Sequence, residues 1–130
     1  MRYLVDTDWA VHFLNGQPAV TRRLRELRPD GLAVSVVSLA ELYEEVQYSR
    51  DVEESQRRLS DYLEAVTILG VDEDTCKLFG RERGRPRAVG ALIGDFDLLI
   101  GATAVQHNLT IMTNNRRHFE RIEGVRLESL

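Results

Sequence analysis

Short apolar runs alternate with stretches of helical period from one end of this chain to the other. Arg2 to Asp6, built on Tyr3-Leu4-Val5, reads as a first strand, and Leu32 to Val37 as a second. Ile68 to Val71 and Leu109 to Thr113 have the same strand-like composition. Between them the pattern turns helical. Thr7 to Leu14 is stopped by Asn15-Gly16. Pro18 opens a segment in which Val20, Leu24 and Leu27 share one stripe, and Pro29-Asp30-Gly31 closes it. Ser38 followed three residues later by Glu41 matches a capping box, which predicts that the helix through Tyr43 and Val46 begins at Ser38. Asp51 to Val66 is an amphipathic helix with Leu59, Leu63 and Val66 inward. Asp72-Glu73-Asp74 suits a helix N-terminus, where acids favour the helix dipole. Asp97 opens the apolar stretch Leu98 to Val105. Strands alternating with helices predict an α/β protein, a three-layer α/β/α sandwich around a central, mainly parallel sheet of four or five strands. The 130 residues are expected to form one domain, 1–130.

Composition narrows the class without naming a function. With 43% hydrophobic and 29% charged residues the chain reads as an ordinary globule. No apolar run approaches the roughly 20 residues of a membrane span, and Met1-Arg2 leads straight into a strand without a signal-peptide pattern, so a cytoplasmic location is expected. Cys76 is the only cysteine, which leaves no intrachain disulfide and no redox pair. A net charge of −4 disfavours a nucleic-acid partner in bulk. Its distribution does not, because arginines gather at Arg22-Arg23-Arg25, between Arg81 and Arg87, and at Arg116-Arg117-Arg121. Each cluster suits phosphate contacts or a plain solvated helix face equally well. Residues 84–94, rich in Gly, Arg and Pro, form the longest loop-like segment and lead into Asp95 and Asp97.

Four polar residues stand where a strand ends or a helix begins: Asp6, Glu41, Asp97 and Asn115. In an open parallel sheet ligands bind outside the carboxyl ends of the strands, so these four are expected to converge. Three carboxylates and an amide oxygen favour a hard cation such as Mg²⁺. Crowded carboxylates raise one another's pKa until a cation relieves them. No serine, cysteine or histidine is placed as an obvious covalent nucleophile, which favours direct hydrolysis by water. Thr7 and Ser38, beside the acids, are candidates for supporting or phosphate hydrogen bonds.

Val5-Asp6-Thr7-Asp8, Val36-Val37-Ser38-Leu39-Ala40-Glu41-Leu42, the segment Ile93 to Ala104 and the segment Thr113 to Phe119 together resemble the PIN-domain nucleases, and within them the VapC toxins of toxin–antitoxin systems. The resemblance spans essentially the whole chain, and its most specific piece is Asp97-Leu98-Leu99-Ile100-Gly101-Ala102. It implies a sheet order of 3-2-1-4-5. It implies that Asp6, Glu41 and Asp97 are the core acids holding Mg²⁺ or Mn²⁺ for RNA hydrolysis. Asn115 falls where many relatives carry a fourth acid, so a second metal position would be weaker here; Asp95, near Asp97, is a candidate to offset that loss. His118 also replaces a common acid and is read as a surface histidine without a catalytic role. The family further implies a homodimer and a small antitoxin partner, with the stripes Val20, Leu24, Leu27 and Leu39, Leu42, Val46, beside Tyr43 and Tyr48, as a docking groove. The alternatives are a non-catalytic PIN-fold module that binds RNA or protein, and a haloacid-dehalogenase-like phosphatase. Asp6-Thr7-Asp8 and Gly94-Asp95 echo the latter, while Ala10 and the helical Lys77 depart from it.

Overall fold

The structure, a computed structural model, describes residues 1–85 and 93–130. Five short strands form one fully parallel sheet: β1 (Tyr3–Val5), β2 (Leu32–Ser35), β3 (Thr67–Leu69), β4 (Thr110–Met112) and β5 (Arg126–Glu128), in the order β3-β2-β1-β4-β5. This is the order that the resemblance implied. β1 lies at the centre, with Tyr3 opposite both Leu32 and Thr110.

Strand side chains alternate between two cores, which makes the sandwich. Val5 and Met112 join Trp9, Val20, Leu24, Leu42, Leu59 and Tyr62 on one face, under α1 (Thr7–Leu14), α2 (Pro18–Leu27), α3 (Val36–Gln47) and α4 (Val52–Glu64). Leu4 and Ile111 join Leu98, Ile100, Ala104, Phe119 and Ile122 on the other, under α5 (Glu73–Arg83) and α6 (Asp95–Gln106). Burying each such Leu or Ile contributes about 1.5–3 kcal/mol, so the central strands are held chiefly from above and below. Thr75 and Asp72 at the start of α5 bond Gln106 at the end of α6, while Arg83 at the end of α5 bonds Asp95 at the start of α6. The two helices are therefore antiparallel and fastened at both ends.

Several details differ from the sequence expectations: β3 covers Thr67–Leu69 where Ile68 to Val71 was expected, and α6 opens at Asp95, two residues before Asp97. β2 ends at Ser35, not Val37, and α3 starts at Val36, because the Ser35 hydroxyl accepts the Val37 N–H at 3.1 Å and caps the helix. Ser38 is thus inside the helix, not at its cap, and is fully buried. The expected docking stripes are also different: Val20, Leu24, Leu27, Leu42 and Val46 are buried in the core, Leu39 is half-buried, and of these residues only Tyr43 and Tyr48 stand out at 44% and 75% exposure. Asp72 caps α5 as the acidic run suggested, in a reciprocal box with Thr75. Most of the loop-like segment 84–94 lies outside the described residues.

Candidate active site

At the carboxyl end of the sheet an open cleft of about 400 Å³ is lined by Asp6, Thr7, Asp8, Val11, His12, Glu41, Glu45, Asp97, Asn115 and His118. Asp6, Glu41, Asp97 and Asn115, drawn from four separate segments, are brought together.

Asp6 sits where β1 gives way to α1, and its side chain does not cap that helix. Its Oδ2 instead accepts the Thr113 hydroxyl at 2.7 Å from the end of β4. At 4% exposure its pKa is pushed up to about 7, first by burial and then by the charge of Asp8, against the pull of the Thr113 bond. Thr113 Oγ1 also accepts the backbone N–H of Asn115 at 3.0 Å, so one hydroxyl positions residues from both strand ends. Glu41, in the second turn of α3, accepts the Thr7 hydroxyl at 2.7 Å. Its pKa is raised by burial and, less, by Asp97, with the Thr7 bond opposing. Asp97 lies in the first turn of α6. Burial raises its pKa, His118 pulls it back, and the charge of Asp8 raises it further. His118 Nδ1 stands 3.0 Å from Asp97 Oδ2, a contact that a bare sequence pattern did not reveal.

Asp95 is not part of the cleft lining: it is exposed and its Oδ1 accepts from Arg83 at 2.7 Å, because in the first turn of a helix two residues two apart face different ways. Ser38 does not line the cleft, and its buried hydroxyl has no partner among the described residues. Sequence reading passed over Asp8 and Asn114. Asp8 Oδ2 accepts the Asn114 N–H at 3.0 Å, and the Asn114 side-chain oxygen accepts the indole N–H of Trp9 at 3.0 Å. The only signal available in the sequence was the repetition of acid two residues after Asp6.

A hard divalent cation fits this donor set. Asp6, Asp8, Glu41 and Asp97 offer carboxylate oxygens and Asn115 an amide oxygen, and the cleft lining holds no arginine or lysine, its other titratable groups being Glu45, His12 and His118. As the side chains stand, no three acidic, histidine or cysteine groups among the described residues are drawn together closely enough to hold an ion. The fit is therefore one of chemistry and burial, with rotamer adjustment left to the ion.

A parallel α/β/α sandwich with acids gathered at its strand ends is the architecture of the PIN domain. Residues 3–125 match that family, and the chain belongs to it. Within the family its relatives are VapC proteins. It is 32% identical to Ribonuclease VapC2 of Rickettsia felis, over 99% of this chain and 98% of that one. It is 27% identical to the tRNA(fMet)-specific endonuclease VapC of Shigella flexneri, over 98% and 97%. The crystal structure of VapBC2 from Rickettsia felis bound to a DNA fragment from their promoter matches with a TM-score of 0.90 at 31% identity, covering 100% of this chain and 99% of the other. Membership overturns the haloacid-dehalogenase reading. Lys77, which that chemistry would need at the site, lies on α5 within 3.9 Å of Glu73 and Asp74.

Proposed function

We propose that this chain is a metal-dependent ribonuclease, the toxin of a toxin–antitoxin pair, that hydrolyses RNA phosphodiester bonds with water. The observation that carries the reading is the convergence of Asp6, Glu41 and Asp97, all with raised pKa values, in one cleft whose lining holds no arginine or lysine. Asp6, Glu41 and Asp97 would hold Mg²⁺ or Mn²⁺, with Asn115 offering a neutral oxygen. Such an ion supplies positive charge for the scissile phosphate and makes water more acidic. Glu41 or Asp97 then accepts the proton of the attacking water. The water oxygen bonds to phosphorus while one ester P–O bond breaks, and its oxygen takes up a proton. Thr7 keeps Glu41 turned toward this space. The exposed Arg117, next to His118 in sequence, would offer its guanidinium to the RNA backbone.

The VapC relatives support an antitoxin partner, and an acidic cleft lined by no arginine or lysine invites a basic side chain from that partner as a plug. We also assign a homodimer and a cytoplasmic location to this single-domain chain; no helix among the described residues is long and apolar enough to cross a membrane. The intact set of acids argues against a purely binding module. Purified chain should cleave RNA with Mg²⁺ or Mn²⁺, lose that activity in EDTA, and lose at least roughly 100-fold in Asp97→Asn with its fold retained. Equal cleavage in EDTA would overturn the metal mechanism.

A further inference from the structure

Beside Asp6, Glu41 and Asp97 the cleft lining holds two further acids, the half-buried Asp8 and the exposed Glu45. Asp8 follows Asp6 by two residues within the first turn of α1 and lines the same wall. Its carboxylate is held from two sides. Oδ2 accepts the Asn114 backbone N–H at 3.0 Å, across from the end of β4, and Oδ1 accepts the Trp9 N–H at 2.7 Å. Oδ1 also lies 3.4 Å from Thr113 Oγ1, the hydroxyl that fixes Asp6. An acid placed only to favour the helix dipole has no need of this. It would turn to solvent, where the dipole benefit comes without repulsion from neighbouring carboxylates. Asp8 instead stays where its charge is felt by both Asp6 and Asp97. Meanwhile Asn115, on the same cleft, brings an oxygen but no charge.

Resting on the ribonuclease reading, we propose that Asp8 is the fourth acid of this metal site and takes over the charge that Asn115 does not supply. Its placement is rigid: the contact to Asn114 ties it to the segment that carries Asn115, and Asn114 is in turn held by the buried indole of Trp9. The two positions thus belong to one unit, in which the carboxylate has moved from the β4 end of the cleft to the first turn of α1.

Isothermal titration of the free chain with Mn²⁺ tests this without any RNA, with circular dichroism to verify the fold. Asp8→Asn keeps an acceptor for Asn114 and should weaken Mn²⁺ binding at least 10-fold. Adding Asn115→Asp to it should bring affinity back to within about threefold of the native chain. In the native background, where Asp8 already supplies the charge, Asn115→Asp should tighten binding less than threefold. This last variant leaves the α1 turn untouched and decides the matter if Asp8→Asn does not fold. Affinity of Asp8→Asn within twofold of native, no recovery in the double variant, or a 10-fold gain from Asn115→Asp alone would each overturn the proposal. A native chain that binds no Mn²⁺ would remove the metal reading itself, whereas native binding with an indifferent Asp8→Asn removes only the role of Asp8.

Discussion

The hydroxyl of Thr113 donates to Asp6 at 2.7 Å although the two residues lie 107 positions apart in sequence. That bond stabilises the ionised form of Asp6 against a burial that favours the neutral one. Thr113→Val should therefore raise the Asp6 pKa further, cut RNA cleavage at neutral pH by about 10- to 100-fold, and move the acid limb of the rate profile to higher pH, while Thr113→Ser stays near native. An unmoved acid limb in Thr113→Val would show that the bond does not tune Asp6.

Stability should respond to pH in the same terms. Asp6 has a pKa of about 7 in the folded chain, against an ordinary value of 3.8, so the folded state holds its proton more tightly than the unfolded one. Its contribution to stability is then fully present below about pH 4 and is lost as pH rises through 7. Glu41 and Asp97, also raised, act in the same direction. In EDTA the melting temperature should fall by several degrees between pH 6 and pH 8, and Asp6→Asn should melt higher than the native chain at pH 8. Scanning calorimetry at the two pH values checks both; a native chain that is more stable at pH 8 would contradict the assignment.

Gly101 on α6 is required by close packing. A Cβ there would come within 2.2 Å of Ile122 Cδ1, and Ile122 is itself 3% exposed. Gly101→Ala should cost about 1–3 kcal/mol through overpacking. Ile122→Val, which removes the offending Cδ1, should recover much of that loss in the double variant. Urea denaturation of the four chains forms the cycle, and strict additivity would exclude the contact as the cause.

Asp95 and Asp97 should separate cleanly. Asp95→Ala removes an exposed ion pair with Arg83, worth less than about 1 kcal/mol, and should leave cleavage within threefold of native. Asp97→Ala should abolish it. His118→Ala loses a partly exposed partner of Asp97 and is expected to cost less than about tenfold. Single-turnover rates for the three variants rank them directly.

The strand–helix alternation and three of the four cleft residues, Asp6, Asp97 and Asn115, were readable because each is a local event, a short apolar run or a stop signal with a polar residue beside it, whereas Glu41 lies inside α3, in its second turn. The start of α3 was not. Val36 and Val37 extend the strand's apolar run, and Ser38 with Glu41 imitates a capping box, so the true cap at Ser35 was hidden among equally plausible neighbours. Asp8 looked like any acid in a first helical turn, since the residue that orients it, Asn114, is distant in sequence and reaches it only through the β1–β4 pairing. Glu82 was equally silent: it is 2% exposed and accepts from its sequence neighbours Arg81 and Arg85 and from the backbone N–H of Glu123, which lies on a remote turn.

The central position of β1 sets the time at which this molecule can become dangerous. β1 precedes every other strand in sequence but pairs with β4 from the far side of the sequence, and Asp6 meets the Thr113 hydroxyl, and through it Asn115, only through that pairing. Such long-range closure folds slowly compared with local structure. Until β4 has paired with β1, Asp6 lacks the Thr113 hydroxyl and the cleft lacks Asn115, so the site is completed only when nearly the whole chain has folded.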